Sequence, residues 1–231
     1  MSGNYKAIFD KDGEELTYIL KYDYGEVEKE KLIIGSEVKL DRKSGGKGKI
    51  YAVKMNDFMK FQAPTNQIAC VIRRDEVQHP FFEDLYTWGK NLRHYYFGTQ
   101  LGKDHFAVFK KGREEQEINL KDTNITVAIL KKGMKKYNDK YITNIKKDME
   151  QIGYKLKDIS VENIKTLTFH GTTEQPHGIS VKESDLKGKT DQNEMSQGMF
   201  RCLSLIIQLN YSLLIGTPSC ILIDDIGEGL D

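Results

Sequence analysis

Cysteine is scarce in this chain, with three in 231 residues, and the three stand far apart at Cys70, Cys202 and Cys220. That dispersal excludes a cysteine zinc site, and two of them lie in apolar segments, so they read as buried, reduced thiols. An excess of one charge is also missing: 35 Lys and Arg against 34 Asp and Glu leave a net charge of +1. No overall electrostatic case for nucleic acid or a membrane surface follows from that balance. Long hydrophobic runs are absent too. The stretch from Cys202 to Ile223 is strongly apolar, but Gln208, Asn210, Gly216 and Pro218 interrupt it, which fits a core segment and not a membrane span. Met1 to Asn4 leads straight into a strand pattern without the apolar region of a signal peptide, so the chain reads as cytoplasmic. The histidines, His79, His94, His105, His170 and His177, show no metal-ligand spacing. No sustained heptad run is present, which excludes a long coiled-coil arm within these residues.

What is present is enough apolar material, 39% of residues, for one sizeable core or two small ones. Three zones follow one another. Residues 1–54 alternate like short strands: Tyr5 to Phe9, a turn at Asp12-Gly13, Leu16 to Tyr22, then Lys31 to Leu40 bent at Gly35-Ser36. Strands joined by glycine turns predict an antiparallel β-subdomain. Residues 55–178 read as a helical and irregular insertion. Phe81 to Leu92 places its apolar groups on one helical face, with Pro80 near the first turn, and Ile142 to Ile152 forms a charged amphipathic helix ending at Gly153. The aromatics Trp88, Tyr95, Tyr96 and Phe97 fall at helical spacing and are assigned to core packing rather than to base stacking. Lys131 to Lys136 and Lys146-Lys147 read as a solvated helix face, with Asp139, Asp148 and Glu150 diluting the charge.

Residues 179–231 carry the chemistry. Ile179 to Leu186 reads as a strand and turn, and Lys187 to Thr190 as a mobile polar loop. Met195-Ser196-Gln197-Gly198-Met199 then opens an amphipathic run of Phe200, Leu203, Ile206, Ile207, Leu209, Leu213 and Leu214, stopped by Gly216 and Pro218. Cys220 to Ile223 follows as an apolar strand buried on both faces, ending in Asp224-Asp225. Paired carboxylates at a strand tip suit Mg²⁺ and an attacking water. A serine hydroxyl and free N–H groups at a helix N-terminus suit an anion.

The ordered pair of motifs resembles the ABC-type ATPase heads of the SMC, RecF and overcoming-lysogenization-defect class. Met195 to Met199 stands where that family carries its signature motif, Asp224 where it carries the Walker B aspartate, and Gly229-Leu230-Asp231 where it carries the D-loop. The resemblance implies an α/β fold: a partial head with an antiparallel β-subdomain, a helical subdomain and a buried Walker B strand. It implies ATP and Mg²⁺ as cofactors, with Asp224 holding the metal through water. Ser196, Gln197 and Gly198 would act in trans, on the γ-phosphate held by a second head, and Asp231 would serve the D-loop. The implied partners are that second head and DNA or an effector protein, with no membrane.

The chain departs from the pattern in two places. Asp225 occupies the position of the catalytic glutamate with a side chain one methylene shorter, and Glu228 in the same loop is the other candidate base. No Gly-x4-Gly-Lys-Ser/Thr loop exists in the 231 residues. The Arg42 to Ile50 segment has Lys43 where glycine is needed and Ile50 where Ser or Thr is needed, so it reads as a basic hairpin loop. Lys187-Gly188-Lys189-Thr190 fails at Glu183. The chain therefore reads as an internal piece of a head, from after the phosphate loop to the D-loop. Gln62, Gln67 and Gln78 all compete for the metal-sensing glutamine of the family. Two functions follow: part of an ATP-hydrolysing head, inactive alone, or a non-catalytic subunit that completes a partner's site in trans.

Overall fold

The computed structural model of the chain describes residues 2–109, 118–164, 175–216 and 220–227. The chain divides into two compact units, Met1–Lys90 and Asn91–Asp231. Helices and strands are mixed, with antiparallel pairing dominant.

In the first unit, β1 (Gly3–Lys11), β2 (Glu14–Asp23), β3 (Glu26–Ile34), β4 (Glu37–Lys43), β5 (Lys47–Ala52) and β6 (Asp57–Gln62) pair antiparallel in sequence order. Asp12-Gly13 and Tyr24-Gly25 form two-residue hairpins with both φ angles positive, the turn that matches strand twist. The segment that imitates a phosphate loop is the tight connection Ser44–Gly46 between β4 and β5. Gly46 has φ +79, and a Cβ there would sit 2.0 Å from the Ala63 carbonyl oxygen, so the glycine serves close backbone approach. The sheet runs on past Val53 through β6, an edge strand whose sequence hardly alternates because nearly all of it is exposed. Leu16, Leu32, Leu40 and Ile50 line the inner face, where Phe81, Phe82 and Leu85 cover them. These come from α2 (Phe82–Asn91) and the residue before it. A short α1 (Ala69–Ile72) adds Ala69 and Cys70.

The second unit contains β7 (Arg93–Tyr96), α3 (Thr126–Gln151), β8 (Leu156–Asn163), β9 (His177–Glu183), β10 (Thr190–Asp191), α4 (Gln197–Ile215) and β11 (Ile221–Asp224). Strands β8, β9 and β10 form an antiparallel sheet in the order β10-β9-β8, and β7 pairs parallel with β11. Helix α3 starts well before Ile142 and is broken at Asn138, which has φ +47. Lys131 lies over the Phe109 ring and Lys146 donates to the Lys157 carbonyl, so the lysines of α3 are spread over several partners. Met199, Phe200, Leu203, Ile207 and Tyr211 of α4 pack with Ile129, Leu130, Tyr141 and Ile145 of α3, and with Ile179 and Val181 of β9. By length and composition α4 could cross a membrane, but most of it is buried in this core.

Several sequence expectations are corrected here. Tyr95, Tyr96 and Phe97 belong to a strand and the residue after it, not a helix: Arg93, Tyr95 and Phe97 are buried while His94 and Tyr96 are exposed, a period of two. Strand β11, expected to be buried on both faces, is not. Ile221 and Ile223 are half-buried against Leu205 and Leu209, while Leu222 is 51% exposed, because only one face of β11 rests on α4. Its one hydrogen-bonded neighbour among the described residues is β7. Thr190 and Asp191 pair with β9, and Lys189 forms an ion pair with Glu162, so the polar run is held in place. Leu213 faces out of α4, 78% exposed, since the buried stripe runs through Ile207 and Tyr211 instead.

The most demanding burial lies in the first unit, where Glu30 and Arg42 are fully buried as an ion pair at 3.2 Å. Glu30 also accepts from the Ala69 and Cys70 N–H groups and from the Tyr18 hydroxyl, while Arg42 donates to the Gln67 and Pro64 carbonyls. The pair thereby fastens residues 64–70 to the sheet. Burial pushes the Cys70 thiol up to about 12, with Glu30 adding to the effect. Removing one partner strands a buried charge, which costs about 3–5 kcal/mol. Arg42→Met is expected near about 3 kcal/mol, because Glu30 keeps three donors. Urea unfolding measures it, and a loss below about 1 kcal/mol would show that the pair does not hold the loop.

Candidate functional site

Parallel pairing of β7 with β11 puts the carboxyl ends of both strands on one edge. The register runs from Arg93 opposite Ile221 to Tyr96 opposite Asp224, and the Phe97 N–H donates to the Asp224 carbonyl at 2.9 Å. Alternation sends Ile221 and Ile223 toward α4, which turns Leu222 and Asp224 outward. The Asp224 carboxylate is exposed, with His94 Nε2 3.7 Å from Oδ2, and the His94 ring lies 4.3 Å from that of Tyr96. Asp225 follows with φ +55, a left-handed conformation that Asp tolerates better than most residues. The strand ends there and the chain turns.

Helix α4 supplies the second part. Ser196 is its N-cap, exposed, and its hydroxyl accepts from the Met199 N–H at 3.1 Å. The N–H groups of Gln197 and Gly198 have no acceptor within the helix. At the C-terminus Gly216 takes φ +71 and closes the helix, as its sequence position predicts.

The loop after β7 joins the two parts. Gln197 Nε2 donates to Gln100 Oε1 at 2.7 Å. Arg201, nearly buried, donates to the carbonyls of Thr99 at 2.8 Å and Gly98 at 2.7 Å. Residues 97–100 are thus tied to Asp224 at one end and to the first turns of α4 at the other. Further polar bonds stiffen the frame: Ser204 donates to the Leu101 carbonyl, and Arg93 reaches the Ser212 hydroxyl. Gln192, fully buried, donates to the carbonyls of Lys103 and His105 and accepts from the Ile179 N–H.

Of the residues singled out in the sequence, Asp224 and Asp225 stand at this strand edge, and Gln197, between Ser196 and Gly198 at the start of α4, is bonded to the loop after β7. Glu228 and Asp231 lie outside the described residues. Gln62, Gln67 and Gln78 all belong to the first unit: Gln62 ends β6, the Gln67 carbonyl accepts from Arg42, and the Gln78 side-chain oxygen is buried without a partner among the described residues. Gln100 and Arg201 were not singled out. The signal for Gln100 was the period-two pattern of Arg93 to Phe97, which marks a strand whose end points at that glutamine.

No group of three or more His, Cys, Asp and Glu that could hold a metal exists among the described residues. Mg²⁺ does not require such a cluster, since it keeps several waters and takes one or two carboxylates with phosphate oxygens. The exposed Asp224 carboxylate can serve there as a single ligand, while the Gln100 amide oxygen in the following loop accepts from Gln197. No protein-family model matches the chain, and no curated protein matches it in sequence.

Replacing Ser196 by Ala removes the acceptor for the Met199 N–H and is expected to cost about 1 kcal/mol, while Ser196→Asp retains it. Urea midpoints of the two variants test the assignment, and equal stability of Ser196→Ala and the parent would contradict it.

Proposed function

We propose that the chain is part of an ATP-binding and ATP-hydrolysing head that closes on Mg-ATP together with a second head, driving work on DNA or a partner protein. The observation that carries this reading is the shared loop 97–100, bonded to Asp224 through Phe97 and to the start of α4 through Gln197 and Arg201. It joins the backbone of the strand-tip residue Asp224 to a capped helix N-terminus at the carboxyl edge of a parallel pair, the edge where open α/β sheets take ligands.

In this reading Asp224 holds Mg²⁺ through water and Gln100 is the metal-sensing glutamine. Asp225 orients or deprotonates the attacking water, with Glu228 as the other acid of the same loop. Ser196, Gln197 and Gly198 meet the γ-phosphate carried by the second head, where the helix dipole and unpaired N–H groups favour an anion. Asp231 completes the contact between heads. A second reading places the Gly-x4-Gly-Lys-Ser/Thr loop, which these 231 residues do not contain, in another protein. There the chain is a non-catalytic subunit that offers the signature helix to a separate partner bearing that loop.

With most phosphate contacts missing, the isolated chain is expected to bind ATP weakly and to turn over no measurable radiolabelled ATP. Photolabelling with 8-azido-ATP is expected to depend on Mg²⁺ and to fall at least about tenfold in Asp224→Asn, a loss equivalent to about 1.4 kcal/mol. Labelling indifferent to both Mg²⁺ and Asp224→Asn would contradict the site. Turnover abolished by Asp225→Ala would contradict the inactivity of the isolated chain.

A further inference from the structure

The six-stranded sheet of the first unit has one face turned to its core and one turned away. Burial of Glu30 and Leu32 on β3, Leu40 and Arg42 on β4, and Ile50 on β5 fixes the inward set. Alternation places their neighbours on the other face, and two rows of cross-strand partners emerge there. Lys21 stands opposite Lys29, and Lys29 opposite Lys43. In the next row Lys31 stands opposite Asp41, Asp41 opposite Lys49, and Lys49 opposite Lys60. Six lysines therefore meet one acid on a single surface, in a chain whose net charge is only +1.

None of the six makes an ion pair among the described residues; the pairs of that unit lie at Lys11–Asp84, Lys39–Glu37, Arg42–Glu30 and Arg74–Glu83. Like charges directly opposite one another destabilise a sheet, so Lys21–Lys29–Lys43 and Lys49–Lys60 cost stability in the free protein. Folding does not call for that arrangement, because the inner face alone supplies the core. An open concavity of about 590 Å³ lies over β4 to β6, lined in part by Lys43, Lys49 and Lys60. Backbone spacing sets neighbouring lysines about 4.8 Å apart across strands, and the two rows about 6.6 Å apart along them. Closely spaced cations on a sheet match a polymer of closely spaced phosphates.

We propose that this outward sheet face binds the phosphate backbone of nucleic acid, without reading its sequence. The surface belongs to the first unit and goes beyond the nucleotide reading, whose residues all lie in the second. Association is electrostatic: each lysine that meets a phosphate releases a counterion, so the affinity falls steeply with salt.

The experiment titrates the full chain into a fluorescein-labelled duplex DNA of mixed sequence, without ATP or Mg²⁺, and follows anisotropy across a series of KCl concentrations. A log–log slope of about −3 to −5 is expected, from about 0.9 per phosphate neutralised. Lys29→Glu with Lys49→Glu is expected to weaken binding at least about tenfold and to flatten the slope by about 2. Lys29→Gln with Lys49→Gln, a milder pair at exposed positions, is expected to weaken it less, and far-ultraviolet circular dichroism checks that both variants fold. Lys146→Gln with Lys147→Gln on α3 is expected to leave binding unchanged. The proposal is overturned if the sheet-face variants bind like the parent, if the α3 pair alone abolishes binding, or if the chain binds phosphatidylserine vesicles and not the duplex.

Discussion

Helix α4 is the constraint on which the second unit depends, because one helix has to satisfy two different neighbours. Its apolar stripe, Phe200, Leu203, Ile207 and Tyr211, closes the core with α3 and β9. Leu205 and Cys202 face the parallel pair β7–β11, where Tyr95, Phe97 and Ile223 meet them. Between those stripes run polar groups at helical spacing: Arg201 on the loop carbonyls, Ser204 on Leu101 and Thr126, and Ser212 on Arg93. A rotation of the helix by a fraction of a turn would bury those groups unpaired, at about 1–3 kcal/mol each. The polar residues therefore fix the rotation that the apolar stripe leaves loose.

That fixed rotation is what makes the site coherent. Ser196 is positioned by the helix it caps, and loop 97–100 is positioned by Arg201, one turn further on. The same loop is continuous with β7, whose parallel register sets the height of Asp224. Ser196, Gln100 and Asp224 are exposed, while Met199, Arg201 and Phe97 beside them are buried. The first unit is built on a different principle, a buried ion pair that clamps residues 64–70, with an uncompensated charge lattice on its far face.

How much of this was legible in the sequence depended on how local each signal is. The N-cap at Ser196, the stop at Gly216 and the hairpin at Asp12-Gly13 rest on short-range chemistry and stand where the residues imply. The strand around Tyr95 was hidden, because helical spacing holds up to Asn91 and the period changes there with only Gly89, inside the last turn of the helix, to mark it. Burial of β11 was overestimated since an apolar run records what a strand can bury, not how many neighbours cover it. Period two over Arg93 to Phe97 marks the strand that leads to Gln100, but its bond to Gln197 is a long-range contact that no local pattern records. The lysine face escaped a reading based on net charge, because segregation of charge appears only when alternate residues on adjacent strands are set side by side.

The central claim is that Asp224, the loop 97–100 and the start of α4 form one metal-dependent phosphate site. Paramagnetic broadening by Mn²⁺, which replaces Mg²⁺ at such oxygen sites, tests it most directly on the amide resonances of the full chain in the presence of ATP. The account predicts that the amides of Phe97 to Gln100, Gln197, Gly198, Asp224 and Asp225 broaden first, and that Asp224→Asn abolishes the effect. Broadening centred on the acidic β1–β2 hairpin around Asp12, with residues 97–100 and 224–225 untouched, would contradict it.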